Sequence, residues 1–110
     1  MNELEKLCKI VSLIKDDQVT NSCPNHPWVV GKKYFIRTVT MHLTGELISV
    51  YQQELVLKDA AWIADSGRFN EALKDINKCN EVEPFNDIVI IGRGSIIDAT
   101  PIQSIITSVK

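Results

Sequence analysis

No stretch of this 110-residue chain approaches the roughly 20 consecutive apolar residues that a membrane-crossing helix needs. Excess positive charge is also missing. Twelve Lys and Arg stand against fourteen Asp and Glu, giving a net charge of −2 and a pI of about 5.6. Without an overall basic field to draw in a phosphate backbone, no polymeric nucleic acid is expected as a partner. Cysteine is scarce: Cys8, Cys23 and Cys79 are odd in number and widely spaced, which is no disulfide framework. Reduced thiols fit the cytosol. The chain begins Met1-Asn2-Glu3, with an acidic residue where a secretory signal carries positive charge, so the expected location is cytoplasmic, with no membrane partner. Internal repeats and low-complexity tracts are absent.

What is present is ordinary globular material. Hydrophobic residues make up 45% and charged residues 24%, a balance that folds, and the length fits one domain over 1–110. Leu4, Leu7, Val11 and Ile14 form an apolar stripe with Cys8 beside it, which predicts an amphipathic helix over about 2–17 with Asn2 as N-cap. Asn21, Ser22, Pro24, Asn25 and Pro27 mark a loop. From Tyr34 to Leu43 the chain is β-branched and aromatic, and Thr44-Gly45 reads as a two-residue hairpin turn. That turn places Met41 opposite Ile48 and Val39 opposite Val50. A third strand is expected over about Glu54 to Lys58. The next segment, Asp59 to Ala64, is apolar and fits helix and strand equally. After the Asp65-Ser66-Gly67 punctuation, Phe69, Ala72, Leu73 and Ile76 carry the spacing of a short helix over about Arg68 to Asn77. A polar loop around Pro84 should lead to a buried strand, Ile88 to Ile91. The bend Gly92-Arg93-Gly94 then precedes more strand at Ile96-Ile97. The expected class is α+β: an antiparallel sheet within about 28–110, an N-terminal amphipathic helix and a short second helix.

Few residues invite chemistry. Cys23-Pro24-Asn25-His26 has local metal-ligand spacing, but structural zinc wants two such pairs, so a proline-rich loop is the expected reading and no metal is assigned. Only two histidines occur, and no nucleophile–base spacing calls for a catalytic site or a cofactor. Gly92-Arg93-Gly94-Ser95 lacks the length and the Lys of a phosphate loop; its glycines suit a bend or bulge, or the close approach of a ligand beside Arg93. Glu81 and Glu83 are paired carboxylates that either sit in solvent or act as acid and base. Arg37 alternates onto the same face as Phe35, Val39 and Met41, where an unpaired guanidinium is costly. Its expected partner is Glu54 or a ligand phosphate. Phe69 fits the core stripe of its helix, so packing is its default role.

Taken together, several stretches resemble one family. Phe35-Ile36-Arg37-Thr38-Val39-Thr40, Asp59-Ala60-Ala61-Trp62-Ile63-Ala64-Asp65, Gly67-Arg68-Phe69, Asn80-Glu81-Val82-Glu83-Pro84-Phe85 and Gly92-Arg93-Gly94 are similar to the phage-encoded Thoeris anti-defence proteins of the first type. The resemblance spans roughly Trp28 to Asp98 and rests on linked segments, with no single diagnostic motif. It implies a sponge that sequesters glyco-cyclic ADP-ribose, the signal made by TIR-domain proteins, without cleaving it. Such a protein inhibits Thoeris antiphage defence in the cytoplasm of the infected bacterial host. It further implies binding of cyclic oligonucleotides, and a homodimer that assembles into a hexamer, with the leading helix as a dimer element. The aromatic, asparagine and arginine that serve the nucleotide in that family fall on Phe69, Asn80 and Arg93. Beside them, Arg37 and Arg68 have the chemistry to pair with a pyrophosphate. Two other readings stand: a nucleotide-signal hydrolase using Glu81 or Glu83 as base, and a small protein inhibitor of a host enzyme that acts by protein–protein contact.

Overall fold

A computed structural model of the chain describes residues 25–110. The expected helix over 2–17 lies outside the described residues. Within them the α+β expectation is corrected: the chain is mostly antiparallel β-sheet, with one short helix and two three-residue 3-10 turns. The strands are β1 (Lys33–Thr38), β2 (His42–Val50), β3 (Glu54–Asp65), β4 (Glu81–Pro84), β5 (Val89–Gly92) and β6 (Ile96–Ile102). Helix α1 is Phe69–Lys74.

The sheet order is β4-β3-β2-β1-β6, and β5 joins β4 on the same edge of β3. β4 pairs with the far half of β3, Ala61 to Asp65, and β5 with its near half, Glu54 to Leu57. The Arg93–Ser95 turn then carries the chain from β5 to β6, on the opposite edge of the sheet. In a flat sheet those edges would be four strand spacings apart, roughly 19 Å. Three intervening residues reach at most about 14 Å when extended. The sheet is therefore rolled.

Bulges supply the bending. Asp59, at φ 51°, adds a residue to β3 opposite Gly45. A Cβ on Gly45 would lie 3.1 Å from Leu57 Cβ and 3.2 Å from Ala60 Cβ, so only glycine lets the strands approach here. A second bulge falls between Leu47 and Ser49, and a third in β6 opposite Arg37 and Thr38. The Asp59 bulge also reverses the alternation of β3. Leu55, Leu57 and Ala60 face the inside of the roll, whereas Ala61 and Ile63 face outward.

Two cores result. The inner one packs Tyr34, Ile36, Leu43, Leu47, Val50, Leu55, Leu57 and Ala60. The outer one packs Phe35, Ala61, Ile63 and Val82 beneath Ala72 of α1, Ile76, Cys79 and Ile106. The apolar stripe of the sequence thus covers the outer face, although the helix expected to Asn77 ends at Lys74 and Ile76 falls in a 3-10 turn. The chain also seals the β4 edge, where Lys110 and Val82 exchange both backbone hydrogen bonds at 2.9 Å.

Several expected boundaries moved. The hairpin turn is Val39-Thr40, since Arg37 pairs with His42 and Phe35 with Thr44. Thr44 and Gly45 are strand interior. Among the described residues only Asp59, Gly31 and Gly67 have positive φ, so this turn lacks the left-handed residues that two-residue hairpins prefer. Thr38 compensates: its hydroxyl accepts the N–H groups of Thr40 (3.3 Å) and Met41 (3.0 Å). The Asn80 to Phe85 stretch, expected as loop, contains β4, and Asp59 to Ala64 continues β3. Ile88 and Ile90, expected as buried, are 50% and 67% exposed.

Candidate functional site

Arg37 is the centre of the most organised polar group. Strand register sets it opposite Asp98 of β6. Its Nε donates to Asp98 Oδ1 at 2.8 Å and its Nη2 to Asp98 Oδ2 at 2.5 Å, a bidentate fork. The expected partner Glu54 is not the observed one; it pairs along the sheet with Gly92. The hydrogen bond from Arg37 holds the Asp98 carboxyl below its ordinary range and pushes the guanidinium pKa up. Arg37 Cζ lies 4.8 Å from the centre of the Phe69 ring. Phe69 meets Phe35 edge-on at 5.6 Å, and Phe35 meets His42 at 5.8 Å. Phe69 therefore serves both packing and a cation–π contact.

Arg68 and Asn80 join this corner through the turn before α1. Gly67, at φ 65°, takes a conformation that favours glycine, and its N–H is held by Asp65 Oδ1 at 2.9 Å. A Cβ there would sit 3.2 Å from the Asn80 side-chain nitrogen, so Asn80 lies against the turn. Asn80 N–H donates to the Asp65 carbonyl at 2.8 Å while its side chain is exposed. Arg68 is 79% exposed and makes a loose 3.9 Å ion pair with Glu71. Such a pair is worth little in water and leaves the guanidinium available.

Arg93 is elsewhere. Its Nη1 donates to the carbonyls of Tyr51 (2.8 Å) and Gln52 (3.2 Å), and its backbone N–H to Gln53 (2.8 Å). It clamps the β2–β3 turn. Of the five expected ligand residues, Arg37 and Phe69 touch, Arg68 and Asn80 flank the Gly67 turn that leads into Phe69, and Arg93 is engaged with the β2–β3 turn.

A cleft of about 410 Å³ escaped the sequence reading. Trp28, Tyr34, Ile96, Ala99 and Pro101 wall it, and Lys32 and Asp98 are its charged groups. Trp28 and Tyr34 meet edge-on at 5.2 Å, and the Tyr34 hydroxyl accepts Val29 N–H at 3.0 Å. No motif marks this cleft, because it exists only where β6 returns to β1. Asp98 belongs to it and to the Arg37 fork at once.

Other sequence candidates have structural settings. Cys79 is fully buried, and burial pushes its thiol pKa up. His26 Nδ1 accepts Trp28 N–H at 3.1 Å, whereas its Nε2 is buried without a partner among the described residues. Cys23 lies outside them. Among the described residues no group of three or more His, Cys, Asp or Glu is placed to hold a metal ion. Glu81 and Glu83 are exposed on β4. No described helix is long and apolar enough to cross a membrane. Comparison with known proteins adds no assignment: no family model, curated protein or solved structure matches the chain.

Proposed function

We propose that this protein binds and sequesters a cyclic nucleotide signal of the glyco-cyclic ADP-ribose type, without turnover, and so inhibits Thoeris defence in the cytoplasm of an infected bacterium. The observation that supports this is the corner built on Arg37. A guanidinium fixed by Asp98 and resting on Phe69 presents a rigid, half-exposed cationic surface. Beside it stand Arg68, free to meet a phosphate, and Asn80, whose amide both donates and accepts. The two guanidinium groups have the chemistry to take a pyrophosphate, and Asn80 that to meet a base or ribose edge. Cyclic oligonucleotides offer the same phosphate and base chemistry and form the second ligand class. Arg93 contributes from the β2–β3 turn, which requires two protomers to meet, in the homodimer or its hexamer.

Thermal unfolding with glyco-cyclic ADP-ribose tests the proposal, with linear ADP-ribose and NAD as controls. Ligand at about 100 times the dissociation constant adds roughly 2.7 kcal/mol per site, a shift of several degrees for a domain this size. The Arg68→Ala variant should keep the unliganded melting temperature and lose the shift, since Arg68 supports nothing in the fold. Heat denaturation should return the ligand intact. Absence of a shift at about 1 mM ligand, where binding would be worth only about −4 kcal/mol, overturns the reading. Recovery of a cleaved ligand turns it into the hydrolase.

A further inference from the structure

The edges of this sheet are unequally protected. Lys110 covers β4, and Pro101 and Asp98 interrupt β6 with a missing donor and a charge. β5 has neither device. Ile88, Val89, Ile90 and Ile91 run without charge or proline, with Ile88 50% and Ile90 67% exposed. Among the described residues nothing pairs with its outer edge. An uncharged edge with exposed isoleucines is a template for another strand.

We infer that β5 pairs antiparallel with β5 of a second copy of this chain, with Ile90 on the two-fold axis. Three observations fix that register. The Arg93 N–H donates to Gln53, the residue just before β3, and continues the β5–β3 register, so the odd-numbered residues of β5 point their backbone groups inward. Gly92, Ile90 and Ile88 therefore point theirs outward, and a two-fold pairing must set even residues opposite even residues. With Ile90 facing its own copy, Ile88 lies across from the partner's Gly92. A Cβ at Gly92 would meet no atom within 4 Å, so that position is open to receive the isoleucine. The same register sets Asp87 opposite the partner's Arg93, twice over. The Nη1 of Arg93 is engaged with the β2–β3 turn, which leaves Nε and Nη2 without partners among the described residues. Asp87 currently uses one oxygen on its neighbour's N–H, that of Ile88, at 2.7 Å. On pairing, that N–H passes to the partner's Gly92 carbonyl and the carboxylate turns to the partner's Arg93. Shape, charge and backbone polarity thus agree on one self-complementary seam, the isologous arrangement a two-fold dimer requires. This gives the homodimer of the proposed function a surface, but it does not rest on the nucleotide reading. A dimer without ligand affinity sinks only that reading.

Cysteine trapping and sedimentation equilibrium test the seam, in a Cys8→Ser, Cys23→Ser background. Directly opposed residues in a hydrogen-bonded antiparallel pair have Cα atoms about 5.5 Å apart, inside disulfide range. Ile90→Cys should therefore cross-link to a dimer under mild oxidation. Ile88→Cys, set roughly 14 Å from its own copy, should not. Ile90→Lys, at an exposed position that leaves the melting temperature in place, should halve the mass seen for the wild type or lower it further. A wild-type chain that stays monomeric at millimolar concentration overturns the inference. So does an Ile90→Lys protein of unchanged mass, or equal cross-linking at the two cysteine positions.

Discussion

The two faces of the rolled sheet are built on different principles. The inner face is buried hydrocarbon: Leu43, Leu47, Leu55 and Leu57 are each at most 1% exposed, and the Tyr34 hydroxyl brings polarity only at the rim, where it accepts Val29 N–H. The outer face mixes hydrocarbon with groups that have other business. Thr44 is fully buried there with its hydroxyl unpartnered among the described residues, Cys79 carries a thiol, and Phe69 divides itself between the core and Arg37. The difference separates holding the fold from presenting a surface. A core of aliphatic side chains closes the roll, and the face turned away from it is left to carry arginine, asparagine and carboxylate at the surface.

That contrast breaks first if the inner face is dispensable. Leu57→Ala should cost about 2–5 kcal/mol, because Gly45 and Ala60 on either side have no side-chain length with which to refill the space. Cys79→Ala, equally buried on the outer face, removes a single sulfur and should cost about 1 kcal/mol, near the value for one buried methylene. Denaturant midpoints of the two variants check this. Equal losses would mean that the faces share the work. Thr44→Val sharpens the comparison with the opposite sign. It removes a buried hydroxyl that has no partner among the described residues while keeping the shape, so it should stabilise by about 1 kcal/mol. A loss instead of a gain would show that the hydroxyl finds a partner in solution.

The sequence makes the outer face more legible than the inner one, and the reason is physical. The stripe Phe69, Ala72, Leu73 and Ile76 depends only on local periodicity, and each of the four packs where the spacing places it. The turn at Asp65-Ser66-Gly67 is likewise local. The roll is not local. Thr44-Gly45 carries the residue signature of a hairpin turn, yet Gly45 is needed inside β2, where the Asp59 bulge brings Leu57 and Ala60 against it. No spacing rule anticipates a contact that exists only after two strands have bent together. Alternation set Arg37 beside Phe35, but Met41, expected on the same face, packs on the inner core and Val39 is exposed in the turn. The partner was not readable, because Asp98 reaches Arg37 only through the return of β6. The setting of Arg93 was hidden for a related reason. Its motif advertises an exposed arginine between glycines, whereas its fork spends one nitrogen on the carbonyls of a distant turn.

The smallest expected effect bears most directly on the site. Asp98 is exposed, and its carboxyl pKa lies below the ordinary value because Arg37 donates to the ionised form. A carboxylate depressed in the folded state stabilises the fold above its unfolded pKa, about 3.9, and that contribution is lost as pH falls through the lower, folded value. The difference in melting temperature between wild type and Asp98→Asn should therefore be constant above about pH 5, and shrink as the solution is acidified below about pH 4. It should also shrink with added salt, since both partners are open to solvent. A difference that persists unchanged to the acid end would mean that the fork does not form in solution. A small, salt-sensitive difference carries the stronger consequence. An arginine whose carboxylate partner contributes little to the fold can exchange it for a phosphate at little cost, while Phe69 keeps the guanidinium in place for the incoming group.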